Sequence, residues 1–170
     1  MICLMYSRLY RVWDSSNEVI VPKRTYVSVP MAVKLAGYTV KFADVDWLGS
    51  YRLKPYPIWD SARFLSRNMY KPGQFMCLSF HWTKILKLGL GGAILHNDDD
   101  ADPILRRMRF DGRTEGVAPK DDTFPVLGIH AYMTPGIAAD GLVRLSLLPD
   151  YNDPLPNSDF PDLSLHPVFR

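Results

Sequence analysis

Cysteine is scarce in this chain: Cys3 and Cys77 are the only two in 170 residues. They form neither a disulfide framework nor a zinc-ligand spacing, so the expectation is a core-stabilised protein of a reducing compartment, the cytoplasm. Both thiols stand among apolar residues, as buried free cysteines do. Long hydrophobic runs are also lacking. No stretch approaches the roughly 18 apolar residues of a membrane span, and the apolar residues 1–5 are followed by Arg8 and Arg11, unlike a signal peptide. Charge of one sign is lacking too. Twenty Lys and Arg against eighteen Asp and Glu leave a formal net charge of +2, so neither nucleic acid nor an anionic membrane is an expected partner. No phosphate-binding lysine loop and no dinucleotide glycine fingerprint occurs. His81, His96, His130 and His166 have no metal-ligand spacing. Asp98, Asp99, Asp100 and Asp102 lack the twelve-residue loop and closing glutamate of a calcium site, and read as a cap and dipole partner for the helix that follows. No metal is expected.

Proline, by contrast, is plentiful, at fourteen residues. Pro154, Pro156, Pro161 and Pro167 predict an extended tail over residues 148–170 that wraps a surface, after a single domain over residues 1–147. Within that domain, Ile2, Leu4, Met5, Leu9, Val12 and Trp13 lie near one helical stripe over residues 2–13. A turn at Asp14-Ser15-Ser16-Asn17 leads to a short buried strand over 18–22. Val29, Ala32, Val33 and Ala36 share one face of a helix over 28–36, which Gly37 ends. Strands are expected at 39–44, at 56–59 (delivering Asp60 at its C-terminal end), at 75–80 and at 92–96. Asp102-Pro103 is a helix start running to about residue 110, and a last helix covers 134–147 with Pro135 in its first turn. Strands alternating with helices predict an α/β domain.

The run Ser79-Phe80-His81-Trp82-Thr83-Lys84 follows an apolar strand and precedes Gly89-Leu90-Gly91-Gly92. A hydroxyl and an amine confined between strand and glycine-rich bend suit pyridoxal phosphate (PLP). That cofactor needs a lysine for its imine, a carboxylate for its pyridinium nitrogen, a ring or apolar side chain over its face, and donors for its phosphate. Lys84 is the candidate amine; burial among apolar groups would lower its pKa and free the nucleophilic form. Lys84 taken alone is equally a surface lysine. Asp60 is the candidate carboxylate, because a buried strand end is costly for it without a cation; it reads equally as the cap of the next turn. Tyr26 is the candidate ring or a core aromatic, and Ser79 a phosphate donor or a solvent-facing strand residue.

The order of these features resembles the DegT/DnrJ/EryC1/StrS family of PLP-dependent sugar aminotransferases. Glu18-Val19-Ile20-Val21-Pro22 resembles the family's "DEVIVP", and Thr25-Tyr26 with Ala32-Val33 and Ala36-Gly37 is similar to "TF.AT.NAV...GA". Phe42-Ala43-Asp44-Val45-Asp46 resembles "FVDID", Trp59-Asp60-Ser61-Ala62 resembles "EDAA", and Ser79 to Lys84 resembles "SFHPTK". Gly89-Leu90-Gly91-Gly92-Ala93-Ile94 resembles "GEGGAVV", and Asn97-Asp98 with Leu105-Arg106-Arg107-Met108-Arg109 is similar to the "ND...L..LR" that follows. A looser likeness continues through Leu127-Gly128, Met133, Ala138-Ala139 and Gly141-Leu142, so the resemblance covers roughly residues 18–145.

The resemblance implies a reduced fold type I large domain, with a mixed, mostly parallel sheet flanked by helices and without the family's small C-terminal domain. It implies that Lys84 is the Schiff-base lysine, Asp60 the pyridinium partner, Tyr26 the stacking ring and Ser79 a phosphate ligand. Arg63 stands where the family has a glutamine after "DAA". His130 stands where a family asparagine reaches the phosphate of the partner subunit, in a homodimer. The implied activity moves an amino group from a donor such as glutamate to a keto sugar carried on a nucleotide, and lysine rather than histidine at position 84 favours transfer over dehydration. The departures are the family's phosphate-binding turn, which would precede Met1, thirteen residues only between Asp46 and Asp60, and Leu90 in place of the "GEGG" glutamate. They make the alternative a truncated, inactive binding or structural subunit.

Overall fold

The computed structural model describes residues 1–13, 16–157 and 160–169; of the turn expected at 14–17, Asp14 and Ser15 lie outside the described residues. The elements run α1 (Ile2–Tyr10), β1 (Glu18–Pro22), α2 (Ser28–Leu35), β2 (Thr39–Ala43), β3 (Tyr51–Leu53), β4 (Ile58–Asp60), β5 (Phe75–Ser79), β6 (Gly92–Leu95), α3 (Ala101–Arg109) and α4 (Pro135–Leu147). Short 3-10 turns occur at Pro119–Asp121, Leu163–Leu165 and Pro167–Phe169.

The architecture is the expected α/β one with a mixed sheet. β1 and β2 pair in parallel, and a four-stranded sheet has the order β3-β4-β5-β6. Within it β4 and β5 are parallel, and both edge strands run antiparallel to their neighbours. The Ile20 N–H donates to the Lys54 carbonyl at 2.8 Å, and the Lys54 N–H returns the bond at 3.2 Å. This single bridge joins the two sheets edge to edge.

Sequence periodicity explains most of the packing. In α1, Cys3, Leu4, Tyr6 and Ser7 face inward. The buried Ser7 hydroxyl donates to the Val12 carbonyl at 2.9 Å and accepts from the Tyr38 hydroxyl at 3.0 Å, so burial leaves it satisfied. The helix ends at Tyr10, three residues before the apolar stripe does, because Arg11 takes a left-handed conformation (φ 50°). In α2, Pro30 and Val33 are buried, and Gly37 turns the chain into β2 at φ 83°, a region glycine enters without a steric penalty. In α3, Ala101, Leu105 and Met108 face the core while Arg106, Arg107 and Arg109 fill the last turn, where positive charge is favourable. That helix starts two residues earlier than expected from a cap at Asp102 and a first position at Pro103. Asp98 caps it, its carboxylate accepting from the N–H groups of Asp100 and Ala101; Asp102 sits inside the first turn and pairs with Arg106 at 2.6 Å.

The core joins α1 and α3 to the strands through Leu4, Val19, Val21, Val33, Tyr56, Ile58, Phe75 and Met108, all nearly or fully buried. β3 was not expected. Its Tyr51 and Leu53 point inward and Arg52 outward, an alternation too short to stand out from the flanking loop. No helix among the described residues is long and apolar enough to cross a membrane.

Candidate active site

β4 and β5 run in parallel with Asp60 opposite Cys77, so Asp60 and Ser79 emerge at the same edge. Clefts outside the carboxyl ends of parallel strands are where α/β domains place ligands. Here that edge opens into a cleft of about 770 Å³, and Tyr26, Asp60, Arg63, Ser79 and Lys84 all line it. Five candidates spread over 59 positions of sequence are thus brought together by the fold.

Lys84 reaches the cleft from a tight turn after β5. Its N–H donates to the His81 carbonyl at 2.8 Å, and the His81 Nδ1 lies 3.0 Å from the Thr83 hydroxyl. Phe80 ties this turn to the glycine-rich bend: its N–H donates to the Gly91 carbonyl, and its carbonyl accepts from the Leu88 N–H, both at 2.9 Å. Gly91 has φ 107°, which a side chain would strain. Gly92 faces a harder limit, because a Cβ there would lie 2.3 Å from the Leu78 carbonyl oxygen. The Lys84 amine is partly buried, and this pushes its pKa below the ordinary lysine value. The positive charge of Arg63 pushes the same way, while the negative charge of Asp60 opposes. The net effect favours the neutral amine, the nucleophilic form.

Asp60 has two neighbours that favour its charged form. The Ala62 N–H reaches its Oδ1 at 2.9 Å, and the Tyr51 phenol also lowers the carboxyl's pKa. Tyr51 lies 2.6 Å from the Thr25 hydroxyl. Burial nevertheless outweighs these bonds and raises the Asp60 pKa above the ordinary carboxylate value. Among the described residues, neither Asp60 nor Lys84 takes part in an ion pair.

Tyr26 is 60% exposed, so it is a wall of the cleft and not a core aromatic. Its ring meets Phe160 edge-on at 6.4 Å. Ser79 faces the cleft, its hydroxyl 3.4 Å from the His81 N–H. The Arg63 guanidinium donates to the Pro156 carbonyl and lies over the Phe160 ring at 5.9 Å. His130 lies elsewhere. It is exposed, bonds to Asp111 at 2.8 Å and packs against Tyr132, so it contributes nothing to the cleft of its own chain. The His, Cys, Asp and Glu side chains among the described residues form no cluster able to hold a metal ion.

Five residues at the cleft carry no mark of it in the sequence. Tyr51 stands beside Asp60 on β3, and Thr25, in the bend after β1, bonds to the Tyr51 hydroxyl at 2.6 Å. Cys3 and Cys77 line the cleft side by side. Phe160 closes one wall from the tail, and no local pattern marks it. The alternation Tyr51-Arg52-Leu53 is the only local trace, and at three residues it is too short to read.

The chain matches the model of the DegT/DnrJ/EryC1/StrS aminotransferase family over residues 61–153. Among solved structures it is similar to AtS13 from Actinomadura melliaura, with TM-score 0.70 and 19% identity over 85% of this chain and 52% of that one. It is also similar to Helicobacter pylori PseC, an aminotransferase involved in the biosynthesis of pseudoaminic acid, with TM-score 0.65 and 18% identity over 85% of this chain and 50% of that one. A Bacillus cereus ATCC 10987 protein provisionally named a PLP-dependent aminotransferase gives TM-score 0.66 and 18% identity over 85% and 50% of the two chains. The chain thus spans about half the length of these structures. A search of curated proteins finds no match.

Proposed function

The chain belongs to the DegT/DnrJ/EryC1/StrS aminotransferase family, and from that premise we propose that its cleft holds pyridoxal phosphate and serves amino transfer, with Lys84 as the attachment point. The observation that carries this is a buried carboxylate, Asp60, facing the same cleft as an amine of lowered pKa, Lys84, with no ion-pair partner for either among the described residues.

The residues fit the cofactor. Asp60 bears the desolvation cost of its charge with only an N–H and a phenol to offset it, and a protonated pyridine nitrogen is the cation such a carboxylate lacks. Tyr26 presents an exposed ring at the mouth, and the Ser79 hydroxyl can donate to a phosphate. PLP, when bound, supplies an electron sink that stabilises negative charge on the carbon bearing the amine. This chain's residues supply the rest. Asp60, oriented by Tyr51 and Ala62, would keep the ring nitrogen protonated. Lys84 would hold the group and, as a neutral amine, would take up the proton from the amine-bearing carbon of the donor. Burial and the positive charge of Arg63 favour the neutral form of that amine, while the negative charge of Asp60 opposes them.

The proposed donor is glutamate and the proposed acceptor a keto sugar linked to a nucleotide, as the family resemblance implies. The proposed assembly is a homodimer in which His130 reaches the partner's site. The exposure of His130 and of Leu142, Val143, Leu145 and Leu147 on α4 supports an apposed second copy. In domain terms, residues 1–147 form the cofactor-binding body and 148–170 a strap.

The test is optical and chemical. Protein loaded with PLP is expected to absorb in the visible, and borohydride should fix one cofactor per chain on the peptide that carries Lys84. Absence of that band in the wild type, or its persistence in Lys84→Ala, would overturn the assignment. Bound cofactor without amine transfer to any keto sugar nucleotide would keep the cofactor site and remove the reaction.

A further inference from the structure

Cys3 and Cys77 are 74 positions apart in sequence, yet their Sγ atoms lie 3.8 Å apart. Cys3 faces inward from the first turn of α1, and Cys77 stands mid-strand on β5, opposite Asp60 on one side and Ile94 on the other. Both line the 770 Å³ cleft. Their exposure differs: Cys3 is 2% exposed, while Cys77 is only partly buried. A disulfide needs the sulfurs at about 2.0 Å, so the 3.8 Å gap must close by roughly 2 Å.

We propose that Cys3 and Cys77 form a reversible thiol–disulfide site on the floor of the cleft, oxidised by small-molecule disulfides that enter through it. Cys77 is the attacking sulfur. The hydrogen bond from the Cys3 thiol lowers the Cys77 pKa, and the same bond together with burial raises that of Cys3. Of the two, Cys77 is therefore the thiol that ionises more readily, and it is also the more accessible sulfur.

The exchange balances in two steps. The Cys77 thiolate attacks one sulfur of the reagent, RSSR, breaking its S–S bond, forming a mixed disulfide and releasing RS⁻. Cys3 then loses its proton to the departing thiolate or to water, attacks the Cys77 sulfur and expels the second RS⁻. Two protein thiols and one RSSR become one protein disulfide and two RSH, and dithiothreitol reverses the sequence. The cross-link pins α1 to β5 directly beneath Asp60. The proposal stands on these two sulfurs and not on the cofactor reading.

The experiment exposes native protein to oxidised glutathione and reads intact mass and free thiols. The expected product is about 2 Da lighter than the starting chain, retains no glutathione and has no titratable thiol until reduced. It should melt at least about 5 °C higher, because the bond closes a long loop. Cys3→Ser should stop at the mixed disulfide on Cys77. Cys77→Ser should leave Cys3 unmodified in the folded state. A wild-type product that keeps its glutathione, that forms only cross-linked pairs of chains, or that appears only in urea would overturn the proposal. So would two free thiols after prolonged exposure.

Discussion

Asp60 shows how one residue can be a burden for the fold and an asset for the site. Its pKa is raised by burial, so the folded state resists ionising it more than the unfolded state does. The sign follows from linkage. Stability from this group is fully present below the unfolded-state pKa, the ordinary carboxyl value of 3.8, and is lost as pH rises through the higher folded-state pKa. In protein free of cofactor, Asp60→Asn keeps an acceptor for the Ala62 N–H and removes the charge. It should raise the melting temperature at pH 7, with the advantage over wild type shrinking as the buffer is taken down to about pH 4. The same change should loosen retention of PLP at pH 7 by roughly tenfold or more, since a desolvated opposite charge is then missing. Melting curves across pH and cofactor titration check the two halves. A variant less stable than wild type at pH 7 would mean that the carboxylate is already compensated within the fold.

Elements carry the same logic through backbone contacts. The site depends on the β5/β6 pairing, because that hairpin aims Lys84 and fixes the glycine bend. Gly92 pairs with Ser79 there, and a methyl group at Gly92 meets the Leu78 carbonyl at 2.3 Å. Backbone cannot yield as a flexible side chain can, so Gly92→Ala should cost about 1–3 kcal/mol and lower the melting temperature by about 4 °C or more. Gly136→Ala is the matched control. Nothing lies within 4 Å of its added carbon, and the site is inside α4, so it should be neutral or slightly stabilising. The hairpin also shows what was legible in the sequence. Long periodic elements such as α3 and apolar runs such as 75–79 declare themselves, because burial on one face leaves a repeating trace. The motif residues Asp60, Ser79 and Lys84 were legible from strand ends and glycine spacing. Tyr51 was not, because a three-residue strand is set by its partner β4 and by the Ile20–Lys54 bridge, which are contacts distant in sequence. The Cys3–Cys77 approach was invisible for the same reason.

At the scale of the molecule, the proline-rich tail is where composition was informative and geometry was not. Fourteen prolines predicted an extended segment but not its path. The path runs from Arg67, whose N–H and guanidinium both bind Asp150, past the Arg63 carbonyl, which accepts from the Leu155 N–H at 2.8 Å. It continues to Phe160, stacked on Trp47 at 6.3 Å. Farther on, the Leu163 N–H donates to the Lys23 carbonyl at 2.9 Å, Asp162 pairs with Lys23 at 3.2 Å, and Phe169 meets Phe42 edge-on. The strap thus ties the loop after β4 to β1 and β2 past the cleft wall, joining two sheets whose strands otherwise share the Ile20–Lys54 backbone bridge. Leu163 is its buried anchor, at 3% exposure, and Phe160 is its contribution to the cleft wall. Removing residues 150–170 should therefore lower the melting temperature by about 5 °C or more and increase binding of a hydrophobic dye, because Leu163 burial and the Lys23 and Arg67 contacts are lost together. Leu163→Ala alone should reproduce much of the loss, at about 2–4 kcal/mol. Phe160→Ala should leave the melting temperature within about 2 °C of wild type, since its ring lies at a partly open wall. A shortened chain that melts like the full one would mean that the two sheets are held together by the Ile20–Lys54 bridge and the core beneath it.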